Sequence, residues 1–198
     1  MTRQHKKMNT EIIDHLKNIL PLSNDDLEIF VSKFKLIHLK KGEYFIKEGQ
    51  SKKELGLIVK GCMFCYYNKD GEQVIDEFSL DFEFITDYFS YLTNSPAEKN
   101  VKCIEDTELL VLPFEILKTE YSNNTNYEKI GRIMAEGLFI NWHQKAKSLM
   151  LDDAETRYLK LISKRPDLLQ RIPQYLIASY LNVKPETLSR IRKKIALK

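Results

Sequence analysis

The spacing of apolar positions changes character three times along the chain. Ile12, Ile13, Leu16, Ile19 and Leu20 recur at helical intervals and predict an N-terminal helix. Ser23 stands three residues before Asp26 and ahead of Leu27, Ile29, Phe30 and Phe34. That order predicts a second helix, with the serine capping open N–H groups and the acids favoured by the dipole. At Lys40 the helical period ends. Five of the seven glycines (Gly42, Gly49, Gly56, Gly61, Gly71) fall between residues 42 and 71, among short runs of Val, Ile, Tyr and Phe. Asp70-Gly71 separates CMFCYYNK from EQVIDEF, which predicts a tight hairpin. Residues 101–104 and 109–112 are further strand-like runs, and this regular spacing predicts an antiparallel sandwich or roll.

From about Asn126 to Leu151 the pattern is helical again, long and free of proline. Met134, Leu138, Trp142, Ala146 and Leu149 form one stripe; Ile130, Ile133, Gly137 and Ile140 form another. A helix with two apolar stripes must bury both. One is expected on its own domain and the other on a second copy of the chain, against the alternative of one buried helix in a monomer. An acidic hinge, Asp152-Asp153, leads into a compact helical tail. Three segments are expected: residues 1–122, the helix at 123–151, and 152–198.

Composition narrows the class. The chain has 198 residues, 43% of them hydrophobic and 30% charged, which excludes disordered, collagenous and low-complexity chains. No apolar run approaches the ~20 residues of a membrane span, and the first 20 residues hold no apolar signal region, so neither membrane insertion nor secretion is expected. Three cysteines make an odd count that argues against a disulfide scaffold and for a reducing, cytoplasmic location. Charge is unevenly placed. Residues 152–198 hold 11 Lys/Arg and 5 Asp/Glu, a net of +6; the remainder holds 20 basic and 23 acidic residues, a net of −3. The basic end points to a polyanion partner.

That end contains the most informative run, QYLIASYLNVKPETLSRIRK at residues 174–193. A helix-turn-helix needs a small residue where its helices touch, a residue tolerant of left-handed backbone in the turn, and apolar residues at fixed offsets. Ala178 supplies the first and Asn182 the second. Ile177, Leu181, Val183, Leu188 and Ile191 supply the third. Pro185 falls in the first turn of the second helix, where its missing N–H is harmless. At ~100° per residue Leu188, Ile191 and Ile195 share one side of that helix. Glu186, Ser189, Arg190 and Lys193 face the other way, with Thr187 beside them. Arg can contact guanine bidentately and Glu can accept from cytosine, so these are the expected major-groove residues. Lys193, Lys194, Arg192 and Lys198 are expected at phosphates.

A β-rich region, one long helix and a terminal helix-turn-helix together resemble the cyclic-AMP receptor / fumarate–nitrate regulator (Crp/Fnr) family of bacterial transcription factors. The resemblance spans nearly the whole chain and rests on KKGEYFIKEGQ (40–50), LGLIVKGCMFCYYNKDGEQ (55–73), CIEDTELLVLP (103–113) and IPQYLIASYLNVKPETLSRIRKK (172–194). It implies an α+β architecture: an N-terminal cyclic-nucleotide-binding-like antiparallel β-roll, a long dimerisation helix and a C-terminal winged helix-turn-helix. It also implies a homodimer on double-stranded promoter DNA, contact with RNA polymerase, no catalytic role and no membrane partner. The sequence stops four residues after Lys194, so wing strands are expected before the recognition helix, around residues 169–172.

Nucleotide-binding members carry a Gly-Glu pair for the ribose and, about ten residues later, an Arg-Ser or Arg-Thr pair for the cyclic phosphate. Counting back from CIEDTELLVLP places these near Thr86-Asp87 and Ala97-Glu98. The glycine is missing, and the cationic pair is replaced by alanine and an acid, which would repel a phosphate. Cyclic AMP and cyclic GMP are therefore not expected as effectors, and no cofactor is assigned. By position in such a fold, Tyr67, Phe82, Asp87 and Glu98 are the candidate effector-pocket residues. Cys62 and Cys65 have C-x-x-C spacing, but in a strand-like run residues three apart face opposite sides, so all three cysteines are expected in the core. His5, His15, His38 and His143 show no ligand spacing, so no metal site is expected.

Two other readings fit the same residues. The β-roll could act without a ligand, as a dimerisation and polymerase-contact platform. A cupin-type β-roll enzyme is the distant alternative, and only His38 lies near the strand region to serve it.

Overall fold

The computed structural model describes residues 3–123 and 125–196. In chain order, α1 (Arg3–Leu16) and α2 (Asn24–Ser32) precede β1 (Lys35–Leu39), β2 (Tyr44–Ile46), β3 (Glu54–Lys60), β4 (Met63–Lys69), β5 (Glu72–Ser79) and β6 (Phe84–Ile85). Then come α3 (Tyr88–Thr93), β7 (Asn100–Cys103), β8 (Thr107–Pro113), α4 (Phe114–Asn123) and α5 (Thr125–Leu151). The chain closes with α6 (Ala154–Lys164), α7 (Leu168–Arg171), α8 (Gln174–Tyr180) and α9 (Pro185–Ala196). One four-stranded sheet has the order β1-β8-β3-β6 and a second the order β2-β7-β4-β5. β8 is antiparallel to both β1 and β3, with Leu110 opposite Leu36 on one side and Leu57 on the other.

By compactness the chain falls into two units: residues 1–64 with 79–135, and residues 65–78 with 136–198. In the first, Leu55, Leu57, Leu110 and Leu112 of the β1-β8-β3-β6 sheet pack with Ile12, Leu16, Leu27 and Phe30 of the N-terminal helices, all buried. The same core takes Tyr127 and Ile130 from the start of α5. Ser23 caps α2 as its spacing predicts, its Oγ accepting the Asp26 N–H at 3.1 Å.

The second unit contains most of the β4–β5 hairpin, the C-terminal part of α5 and the helices after it. The hairpin turns at Asp70-Gly71 with φ of +52° and +84°, the left-handed pair that a two-residue turn requires. Every element within 152–196 is a helix. The wing strands expected around residues 169–172 are absent there, and α7 stands in their place. Asp167 already has helical backbone, Leu168 buries its side chain, and Ile172 returns to extended backbone ahead of Pro173. A buried leucine in a turn too short for a strand pair favours one helical turn.

All three cysteines are buried and none is joined in a disulfide, as the sequence reading expects. No described helix is long and apolar enough to cross a membrane.

Candidate nucleic-acid interface and effector cassette

The helix-turn-helix is assembled by short-range rules and fixed by a few long side chains. α8 begins after Pro173, and its Ile177 and Ala178 are buried where α9 meets it. Asn182 occupies the turn at φ +53°, and its N–H bonds the Ser179 carbonyl at 2.9 Å. The Val183 N–H reaches the Ala178 carbonyl at 3.0 Å and closes the turn. Arg157 of α6 holds both flanks: its Nε donates to the Leu181 carbonyl at 3.0 Å and its Nη1 to the Asp152 carbonyl at 2.7 Å. Asp153 caps α6 by accepting the Thr156 N–H at 2.8 Å. That amide, then the Thr156 hydroxyl, holds the Asp153 carboxyl below its ordinary pKa.

α9 is amphipathic in the sense the sequence predicts. Leu188 and Ile191 are buried, while Glu186, Ser189, Arg190 and Lys193 are exposed on the opposite side and Thr187 is half-buried. The Arg190 guanidinium lies 3.4 Å from the Thr187 hydroxyl, so these two expected contact residues are neighbours one turn apart. Lys194 differs from its neighbours. Its ammonium pairs with Glu155 of α6 at 2.5 Å, which raises its pKa. Lys194 thereby ties α9 to α6, an ion pair that helical spacing does not reveal. Lys198 lies outside the described residues.

The four candidate effector residues are divided between the two units. Tyr67 belongs to the smaller unit, with its side chain exposed. Phe82 is half-buried against the core of the larger unit, stacked on His15 at 5.3 Å, with an unusual φ of +66° for a bulky residue. Asp87 and Glu98 do come together, but through the backbone. Asp87 is 5% exposed, and one carboxylate oxygen accepts the Ser90 N–H at 3.4 Å at the head of α3. The other accepts the Glu98 N–H at 3.2 Å. The Glu98 side chain is exposed. Among the described residues no group of three or more His, Cys, Asp or Glu side chains is placed to hold a metal ion.

From Ala135 onward α5 carries a partly exposed apolar seam. Ala135, Phe139, Trp142, Ala146 and Leu149 repeat at alternating steps of four and three, the spacing of a two-helix seam. Phe139 is 71% and Trp142 68% exposed. The stripe expected from sequence shares Trp142, Ala146 and Leu149 with this seam but started from Met134 and Leu138. Met134 instead packs on the core of the larger unit, which shifts the seam by one residue and brings in Phe139.

Residues 36–124 match the family model for the cyclic nucleotide-binding domain. Comparison with curated proteins gave no match. Among solved structures, the chain is similar to the c-di-GMP responsive global regulator CLP of Xanthomonas campestris, with 17% identity, a TM-score of 0.69, and 88% of this chain and 92% of that one covered. It is similar to FixK2 of Bradyrhizobium japonicum at 16% identity and a TM-score of 0.69, covering 83% and 85%. A Crp/Fnr-family transcriptional regulator from Eubacterium rectale gives 16% identity and a TM-score of 0.67, covering 89% and 85%.

Proposed function

Starting from a chain with the fold of the Crp/Fnr transcription regulators and a cyclic nucleotide-binding domain at residues 36–124, we propose that the protein is a DNA-binding transcription regulator, not an enzyme, working in the cytoplasm. Residues 1–122 serve as the β-roll, 123–151 as the dimerisation helix and 152–198 as the DNA reader. The carrying observation is α9, whose apolar residues are buried while Glu186, Ser189, Arg190 and Lys193 share an open face. Such a helix enters a major groove with side chains available for base edges and phosphates.

The exposed seam of α5 supports a homodimer. Two large aromatics left open on one helix face are covered most simply by the same face of a second copy, giving a symmetric seam. A two-fold dimer reads a near-palindromic site with half-sites about one helical turn apart.

The cassette supports a β-roll that does not take cyclic AMP or cyclic GMP. Where a phosphate would need cations and free N–H donors, the Asp87 carboxylate already accepts the Glu98 N–H. A second anion there would face both the charge of Asp87 and that of the exposed Glu98. This same observation favours the ligand-independent variant, in which the roll is a dimerisation and RNA-polymerase contact platform.

The test is selection of genomic fragments by the purified protein, followed by anisotropy with wild type and Arg190→Ala. A palindromic site is expected, with the variant losing about 1–3 kcal/mol of discrimination at one base pair of each half-site. Weak binding to every fragment, unchanged by the substitution, overturns the reading.

A further inference from the structure

The β4–β5 hairpin leaves the larger unit after residue 64 and rejoins it at residue 79, and the stretch between belongs to the unit that contains the helix-turn-helix. β5 is the last strand of its sheet. One of its edges therefore presents backbone groups without a neighbouring strand, an exposure that proteins cover or blunt. Here the cover is a side chain. The Ser179 hydroxyl of α8 donates to the Gln73 carbonyl at 2.8 Å and accepts the Ile75 N–H at 3.1 Å. A carbonyl and the N–H two residues on are the groups that a residue of a parallel strand would bond. One hydroxyl, donor and acceptor at once, reproduces that pair.

Flanking contacts tie the same place to α5. The Lys145 ammonium pairs with Asp76 Oδ1 at 2.9 Å and also donates to the Asp76 carbonyl. It lies 5.1 Å from the centre of the Tyr180 ring, which in turn sits 5.4 Å from Phe78. Ser179 and Tyr180 are adjacent on the first helix of the helix-turn-helix, so hairpin, α5 and α8 meet at one junction.

We infer that this junction is a latch: the hairpin fixes the attitude of the helix-turn-helix on the C-terminal part of α5, and DNA affinity depends on a strand-edge contact made by none of the DNA-facing residues. The inference rests on the regulator reading above. By linkage, DNA that binds the latched arrangement must tighten the latch.

The test compares wild type, Ser179→Ala and Ser179→Thr, with thermal unfolding to establish that each is folded. Amide exchange at Ile75 and affinity for a fragment selected by the wild type are read in parallel. Ser179→Ala should speed Ile75 exchange and weaken DNA binding by about fivefold, the effect of roughly one net hydrogen bond. Ser179→Thr keeps the hydroxyl and should restore both. Saturating DNA should slow Ile75 exchange in the wild type. Unchanged exchange in Ser179→Ala overturns the latch. Faster exchange with undiminished affinity overturns its coupling to DNA. A wild type that selects no sequence overturns the regulator reading itself, and the exchange measurement tells that failure apart from failure of the contact.

Discussion

Asn182 turns the chain between α8 and α9 at φ +53°, where a Cβ with branching meets the carbonyl that follows. Asn182→Gly should leave the melting temperature close to wild type. Asn182→Val should lower stability by about 1–2 kcal/mol, measured by denaturant unfolding. The residues legible in the sequence are of this kind. Asn182, Ser23, Pro185 and the Asp70-Gly71 pair each answer a backbone requirement within a few positions, so the local string contains the whole argument. Lys194 and Ser179 were not legible in this way. A lysine on an exposed helical face and a serine on a short helix have no local signature of Glu155, 39 residues earlier, or of Gln73, 106 residues earlier. Phe82 is a third case: it combines a positive φ with a backbone bond to Ile58 and a ring stacked on His15, and a phenylalanine advertises none of these.

At the scale of the element, the start of α6 carries a pH dependence. Asp153 has its carboxyl held below the ordinary range by the Thr156 amide and hydroxyl. A depressed folded-state pKa contributes stability that is full above the unfolded value, about 3.9, and is lost as pH falls through the folded value. Asp153→Asn keeps an acceptor of similar capping quality but removes the titration. The variant should therefore show a shallower fall of melting temperature on acidification than wild type, with little change at neutral pH. Elements were read from periodicity with uneven success. The strands, the hairpin and the long helix carry strong repeats and appear where expected. The wing did not, because residues 169–172 have no alternation to distinguish a short strand from one helical turn. The α5 seam moved by one residue because two apolar stripes on one helix overlap, and only packing decides that Met134 faces inward.

At the scale of the whole molecule, the proposed homodimer rests on the α5 seam. Phe139→Glu places a charge opposite its own copy in a symmetric seam and should give monomers by sedimentation at concentrations where wild type is dimeric. The chain has a single tryptophan, Trp142, within the same seam. Its emission should move to longer wavelength in the variant, and an identical spectrum and mass in both proteins would place the dimer elsewhere. The two-unit division itself was the least legible feature, since the smaller unit is built from two stretches separated by 57 residues of the larger one. That discontinuity has a consequence during translation. The larger unit has all its residues once the chain reaches position 135, whereas the hairpin at 65–78 must wait for Ser179. About a hundred residues separate the two, so at about 5–20 residues per second the open edge of β5 lacks its serine for roughly 5–20 seconds in each nascent chain. In that interval the strand edge has no serine to cap it, so the pace of synthesis bears on the hairpin more than on the larger unit, whose residues are all present by position 135.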